Sequence, residues 1–566
     1  MRKRWILVFI CIFSCLWAQA QMCEVKNNEP LKLLHSELMR NFKVLKTQKP
    51  PVYYLSYRYN EVSQTFIEAS YNGVSTQQDQ DSNVTVMVRV GSTKLDNTRA
   101  LKGEMADYDL VSDGYLPFAQ LQDPKAFQLD LWSATQKAVE KAQQQYSQVL
   151  AHSRTRSQAA DQSDDFVFPP KETYCEVSKP QTIDIEKVKA LLAAGAKLPL
   201  GKPYVLNYNV SFSYTHKQNY FVDSRGTQLT FPSEHMRLLY TLSNRTEDGM
   251  DLQQMKTYDI ASLDELPSQE QFLADITQSL QKLEQLTKAQ PGAPFTAPTL
   301  LKGRAAAVFV HEVLGHRLEG HRQKDEAYSQ TFTGKVGQPV ISPLLTIIDD
   351  PTQIYFNGAK LRGHYVYDDE GVKSRPVTLV ENGVLKNFLM SSNPIKGFPT
   401  SNGHGRLGGA HRAVARMGVM RATSSQTVSY EELEQKLIEE IKRQGKPYGF
   451  IIEDLGGGYT FTSKSMPQSF KLETKLVWRV YPDGRKEMVR GLDVVGTPLV
   501  SFNKVLAVGN DDTVFDGSCG AESGWVTQTN IAPSILFSDL EMQKTETSSW
   551  KPPLLPSPLL EKGGKK

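Results

Sequence analysis

Residues 305–320 read Ala-Ala-Ala-Val-Phe-Val-His-Glu-Val-Leu-Gly-His-Arg-Leu-Glu-Gly, an apolar helical stretch carrying two histidines and a glutamate. In the usual zinc-peptidase helix the two histidines stand four residues apart, about 40° apart on one face. His311 and His316 stand five apart, which in a regular α-helix is about 140° and too far round for one ion. The pattern therefore demands a distortion. A one-residue π-bulge at Gly315 is the expected device, because it would bring the pair back to about 50°. Two neutral imidazoles are suitable ligands for Zn²⁺, and Glu312, beside the first, is placed to take a proton from a metal-activated water. Glu319 and His321 are rival third ligands. The competing reading, two satisfied core histidines on a buried helix, is weakened by the combined His-Glu-x-x-x-His pattern.

Upstream, Leu31, Leu34, Leu38, Phe42 and Leu45 fall at helical spacing and Pro50-Pro51 ends the run. Tyr53–Val62, Thr65–Tyr71 and Val84–Val90 alternate like strands of an antiparallel sheet, with a turn at Asn72-Gly73. Ala126 to Ser153 reads as helix, and the polar stretch 157–165 as a linker. Strands over Tyr204–Tyr214, Tyr220–Asp223 and Leu238–Ser243 and a helix over Ser268–Lys288 follow. After Pro298 strand and turn signals dominate. The expected class is α+β: an N-terminal mixed α/β region with antiparallel sheet, and a C-terminal β-rich catalytic domain entered through the metal-binding helix. The expected divisions are a signal peptide over 1–20, an N-terminal α/β domain with an insertion over 21–156, a middle α/β domain over 166–290, a metallopeptidase domain over 296–545 and a disordered tail over 552–566.

With 566 residues, 40% hydrophobic and 22% charged, the chain is a multi-domain globular protein. Removing Arg2, Lys3 and Arg4 with the leader takes the net charge from +3 to zero, which argues against nucleic acid as a partner. That leader consists of a basic start, the apolar stretch Trp5–Trp17 and Ala18-Gln19-Ala20, and it predicts export, periplasmic or secreted, with cleavage near Ala20. The apolar stretch spans only about 20 Å, so stable membrane insertion is not expected. Cleavage leaves Cys23, Cys175 and Cys519, an odd number for an oxidising compartment. The working hypothesis pairs Cys23 with Cys175 and keeps Cys519 as a metal thiolate.

Four stretches together resemble the TldD/PmbA family of bacterial metallopeptidases, in its catalytic TldD-type branch. They are His311 to Gly320; Tyr367-Asp368-Asp369-Glu370-Gly371 followed by Leu379 to Leu385; Gly456-Gly457-Gly458; and Gly517-Ser518-Cys519-Gly520 after Val508-Gly509-Asn510. The resemblance covers about Pro298 to Ser538, is looser before that, and leaves Thr93–Asp165 without a counterpart. It implies that Cys519, not Glu319, completes the metal set with His311 and His316, that Glu312 is the general base and that the chain is an active subunit. It further implies short or unfolded peptides as substrates, held extended, and a homodimer or a heterodimer with a PmbA-like subunit.

Val377–Leu389 and Gly456–Phe461 are the stretches that could offer a sheet edge to such a peptide, and each reads more simply as an internal strand or turn. Asp368, Asp369 and Glu370 read as a solvated turn rather than a Ca²⁺ loop. His364, His404, Arg406, His411 and Arg412 are candidates for stabilising an oxyanion. No Gly-x-Ser-x-Gly elbow occurs. The function expected is an exported zinc-dependent peptidase, the alternative an exported peptide-binding scaffold with a structural zinc and no turnover.

Overall fold

A computed structural model describes residues 21–101, 123–155, 161–409 and 412–546. The expected leader 1–20, the tail 552–566 and His411 lie outside the described residues. The fold is α+β, as expected. Its N-terminal half is built on one eight-stranded sheet whose long strands Val52–Ser70, Gly73–Ser92, Asn207–Asp223 and Gln228–Arg245 are antiparallel neighbours. Val52–Ser70 and Gly73–Ser92 form a hairpin, with Gly73 at φ +107° closing the turn, a conformation that favours glycine. What the alternation suggested as two strands is thus one, because the polar residues Gln77 to Asp81 pair across the hairpin without any apolar signal.

The strands expected in separate N-terminal and middle domains share this sheet. Val52–Ser70 pairs with Asn207–Asp223 from Ser56↔Asp223 to Ala69↔Val210. Each end of the long strands carries its own core. Helices Glu29–Leu45 and Pro124–Thr155 cover Tyr57, Tyr59 and Val84 to Val90, with Phe127 and Leu131 inserted. Helices Ile185–Ala196 and Gln269–Lys288 cover Phe212, Leu238 and Tyr240 at the other end. Cys23 and Cys175 are joined by a disulfide, tying the start of the described chain to the strand Thr173–Val177.

In the C-terminal half the pairings close on themselves. Strand Phe295–Leu301 pairs with Ile535–Lys544, which pairs with Leu492–Gly496, then Phe470–Val480, then Gly449–Thr460, which returns to Phe295–Leu301. This half therefore opens on a strand, and the helix Gly303–Val313, which carries His311, comes second, after the single residue Lys302. The closed ring needs Phe295–Leu301 as a stave between two others, which leaves the helix to pack against it.

That helix lies between the ring and a six-stranded sheet whose last two strands are Gly524–Ala532 and Thr513–Ala521. Ala305, Ala306 and Ala307 are fully buried, which lets the helix approach its neighbours closely. Phe309 packs its ring 5.0 Å from those of Phe502 and Phe537 and 5.7 Å from Phe470. Truncating such a ring costs about 3 to 5 kcal/mol. Among the described residues no helix is long and apolar enough to cross a membrane.

Candidate metal centre

The helix does not bulge at Gly315. It ends at Val313, Leu314 caps it, and Gly315–Leu318 winds into a 3-10 turn that carries His316. The expected π-bulge is thus replaced by a helix end, and Arg317 accounts for it. Its buried guanidinium donates to the Val313 carbonyl at 3.2 Å, to Thr460 Oγ1 at 2.7 Å and to the Phe461 carbonyl at 3.3 Å. It satisfies helix carbonyls that would otherwise lack partners and ties the break to the ring. Gly315 serves by size, since a side chain there would collide with Met417.

The break brings the two imidazoles together, ring centres 5.0 Å apart. The sulfur of Cys519, on strand Thr513–Ala521, lies 3.4 Å from His316 Nε2. One ligand atom each from His311, His316 and Cys519 falls within 4.8 Å of the others, and all three residues are buried. Glu319 is fully buried but stands outside this group, on the far side of His316: its two oxygens are 3.2 and 3.3 Å from Nδ1. That leaves Nε2 facing the sulfur, the arrangement in which a carboxylate orients a ligating imidazole. His321 also stands outside, 3.2 Å from Glu522, which Arg322 holds at 2.7 Å.

Charge in the site is tightly paired. Burial alone would raise the Cys519 thiol, but His316, His311 and Arg416 outweigh it and hold it well below its ordinary range. Burial would lower His316, yet Cys519 and Glu319 push it up to about 10. Burial acts to raise Glu319, and His316 and Arg322 bring it down to about 2. Both shifts favour the charged forms of Cys519 and His316, and a cation bound by the sulfur and the imidazole would compete with protons there. The donor set fits a soft or borderline divalent metal: two imidazoles, one thiolate, no hard oxygen cage. A further sign of fit is Asn530, whose Nδ2 is 3.3 Å from His311 Nδ1 while its buried Oδ1 has no hydrogen-bond partner. Asn530 Nδ2 also donates to Gln528 Oε1, and rotating both amides together would give His311 Nδ1–H an acceptor, keep the Asn530–Gln528 bond and free Nε2 for an ion.

Glu312, half-buried beside His311, faces the glycine run. A Cβ on Gly458 would sit 3.2 Å from Glu312 Cγ and 2.7 Å from the Lys471 carbonyl. The strand Gly449–Thr460 pairs with Phe470–Val480 along its length but with Phe295–Leu301 only over Phe450–Ile452. Among the described residues, Gly456–Thr460 therefore has a strand on one side only. Val377–Glu381, by contrast, is internal, flanked by Thr346–Asp349 and Val384–Leu385.

The other candidates are occupied elsewhere. His364 Nδ1 is 2.8 Å from the Pro351 carbonyl, and His404 sits between Asn402 and Asp349. Arg406 donates to the Met417 and Thr527 carbonyls, and Arg412 to that of Thr98. The Asp368–Glu370 turn is not solvated. Asp368 and Glu370 are buried, accepting from the backbone of Val372, Gly405 and Ser392, and Asp369 ion-pairs with Arg58 of the N-terminal sheet at 2.5 Å. Sequence reading missed Arg317 and Arg416. Arg416, within the apolar Ala413–Met417, carries the signal that marks a buried, paired cation, whereas Arg317, between His316 and Glu319, carries none.

Residues 294–544 match the family model described as the PmbA/TldA metallopeptidase C-terminal domain. This C-terminal domain is the one shared by the TldD/PmbA family. Members similar to it include a metalloprotease of Methanocaldococcus jannaschii, 30% identical over 241 residues, covering 42% of this chain and 48% of the relative. The metalloprotease TldD homolog of Haemophilus influenzae is 28% identical over 253 residues, covering 44% and 48%. A zinc metalloprotease TldD homolog of Saccharolobus solfataricus is 21% identical over 362 residues, covering 63% and 76%. The chain thus spans about half the length of the first two relatives. TldE from Thermococcus kodakarensis shares the fold at TM-score 0.59 and 16% identity, over 90% of this chain and 99% of that one. A putative modulator of DNA gyrase from Bacteroides thetaiotaomicron does so at TM-score 0.60 and 12% identity, over 92% and 100%. The resemblance to metallopeptidases is therefore carried by the C-terminal half.

Proposed function

We propose that the chain is an exported zinc-dependent peptidase that hydrolyses amide bonds of short or unfolded peptides. The observation that carries this reading is the convergence of His311, His316 and Cys519 within 4.8 Å around a buried point. Three protein ligands of these types leave a fourth position free, as catalytic zinc sites do. When bound there, zinc would polarise the scissile carbonyl and bring the pKa of a water towards ~7.

Glu312 is the general base. Its carboxylate takes the water's proton as the water oxygen bonds to the carbonyl carbon, and returns it to the amine nitrogen as the carbon–nitrogen bond breaks. Glu319 and Asn530 hold the two imidazoles in orientation. An extended peptide pairing with the open side of Gly456–Thr460 would lie beside Glu312, gaining backbone hydrogen bonds with little side-chain preference. Export is supported by the leader pattern at 1–20 and by the Cys23–Cys175 disulfide, which suits an oxidising compartment. The partner is a second copy or a PmbA-like subunit, tested by the mass of the purified assembly.

The function itself is tested by metal analysis of the purified chain beside cleavage of an unstructured protein such as casein. One zinc per chain and cleavage abolished by chelator are expected. One zinc with no cleavage would hand the site to the scaffold reading.

A further inference from the structure

We propose that Arg416 is the positioning residue that sets the distance between His316 and Cys519 for metal binding. The proposal rests on the reading of His311, His316 and Cys519 as ligands. Arg416 is 0% exposed. Its guanidinium reaches both halves of the site. Nη2 donates to the Cys519 carbonyl at 2.8 Å, and Nε lies 3.3 Å from Glu319 Oε1, the carboxylate that holds His316 Nδ1. Nη1 donates to Ser523 Oγ at 3.0 Å and to the Gly524 carbonyl at 3.1 Å, in the turn by which the Cys519 strand doubles back. One side chain thus joins pieces of chain 203 residues apart.

Both pieces need such a brace. His316 sits on a short 3-10 turn beyond a helix end, and Cys519 on a strand that, among the described residues, pairs only with Gly524–Ala532. Arg416 is itself fixed: its backbone N–H donates to the His404 carbonyl at 2.9 Å, Val414–Ala415 pairs with Gly405–Arg406, and Met417 packs against Gly315. The planar fork of arginine spans several acceptors at once, which a lysine ammonium cannot. Arg416→Lys keeps the charge beside Glu319, and Arg322 Nε still donates to Glu319 Oε2 at 2.7 Å, so the buried carboxylate stays paired. Removing partners that orient metal ligands typically costs about 10- to 100-fold in metal affinity.

The experiment titrates the metal-free full chain with Co²⁺ and with Zn²⁺ against a competing chelator. Binding is read from the thiolate-to-cobalt charge-transfer band, and folding from thermal unfolding of the metal-free form. Arg416→Lys is expected to unfold near the parent temperature yet bind Co²⁺ about 10- to 100-fold more weakly, with an altered band. Ser523→Ala, which removes one anchor of the guanidinium without changing charge, is expected to weaken binding by a smaller factor. Parent affinity and an unchanged band in both variants would overturn the proposal. Should Arg416→Lys fail to fold, Ser523→Ala with parent affinity overturns it alone. A parent chain that takes up neither metal overturns the ligand reading, and this proposal with it.

Discussion

Glu319 holds His316 from behind: its carboxylate oxygens are 3.2 and 3.3 Å from Nδ1, while Nε2 of the same ring lies 3.4 Å from the Cys519 sulfur. The two contenders for third ligand therefore occupy opposite sides of one imidazole. Cys519→Ala is expected to lose the metal outright. Glu319→Gln is expected to keep it with affinity lowered about 10- to 100-fold. Metal content after dialysis against a weak chelator checks both, and the reverse ranking would assign the ligand role to Glu319.

Glu312→Gln removes the proposed proton acceptor and leaves His311, His316 and Cys519 in place. Turnover of a peptide is expected to fall by about 10²- to 10⁴-fold while zinc stays near one per chain. Residual turnover at the parent rate would remove Glu312 from the base role.

Gly458 leaves the space that Glu312 occupies. A Cβ there would meet the Lys471 carbonyl at 2.7 Å and Leu472 Cδ2 at 2.6 Å, so the strand or Glu312 must shift. Gly458→Ala is expected to lower kcat on the order of 100-fold, as small misplacements of a catalytic group do, with bound metal unchanged. Steady-state kinetics beside metal analysis separates this from loss of the site.

Asp516 is pushed up to about 6 by burial and then by Asp259, against an ordinary value of 3.8. A raised carboxyl pKa means that the folded state binds the proton more readily than the unfolded state. Its stabilising contribution is complete below about 4 and is lost as pH rises through about 6. The difference in denaturant midpoint between the parent and Asp516→Asn should change across that window and level off on either side. A constant difference from pH 4 to 7 would contradict the shift.

The Cys23–Cys175 bridge closes a loop with a sequence separation of 152. Replacing both by serine is expected to destabilise the chain by about 2 to 5 kcal/mol in a denaturant titration. Thiol counting on denatured, metal-stripped protein lacking residues 1–20, which carry Cys11 and Cys15, should find one free thiol, that of Cys519.

Local chemistry was legible in the sequence and long-range geometry was not. Leu31, Leu34 and Leu38 announce a helix because their spacing is its own signal, and all three are fully buried. The five-residue step from His311 to His316 announces a distortion. It does not say which one, because the choice rests on Arg317 reaching Thr460 and Phe461 more than 140 residues away. The union of Val52–Ser70 and Asn207–Asp223 in one sheet is likewise a non-local pairing that alternation cannot express. The acidic run Asp368–Glu370 looks solvated in sequence, and is buried because the N-terminal sheet supplies Arg58 and the backbone of Gly405 and Ser392 supplies donors.

The most direct test of the metal site is the zinc K-edge absorption spectrum of the purified chain. The expected result is one sulfur at about 2.3 Å and two imidazole nitrogens at about 2.0 to 2.1 Å for each zinc. A zinc shell without sulfur, or with nitrogen and oxygen alone, would contradict a centre built from His311, His316 and Cys519.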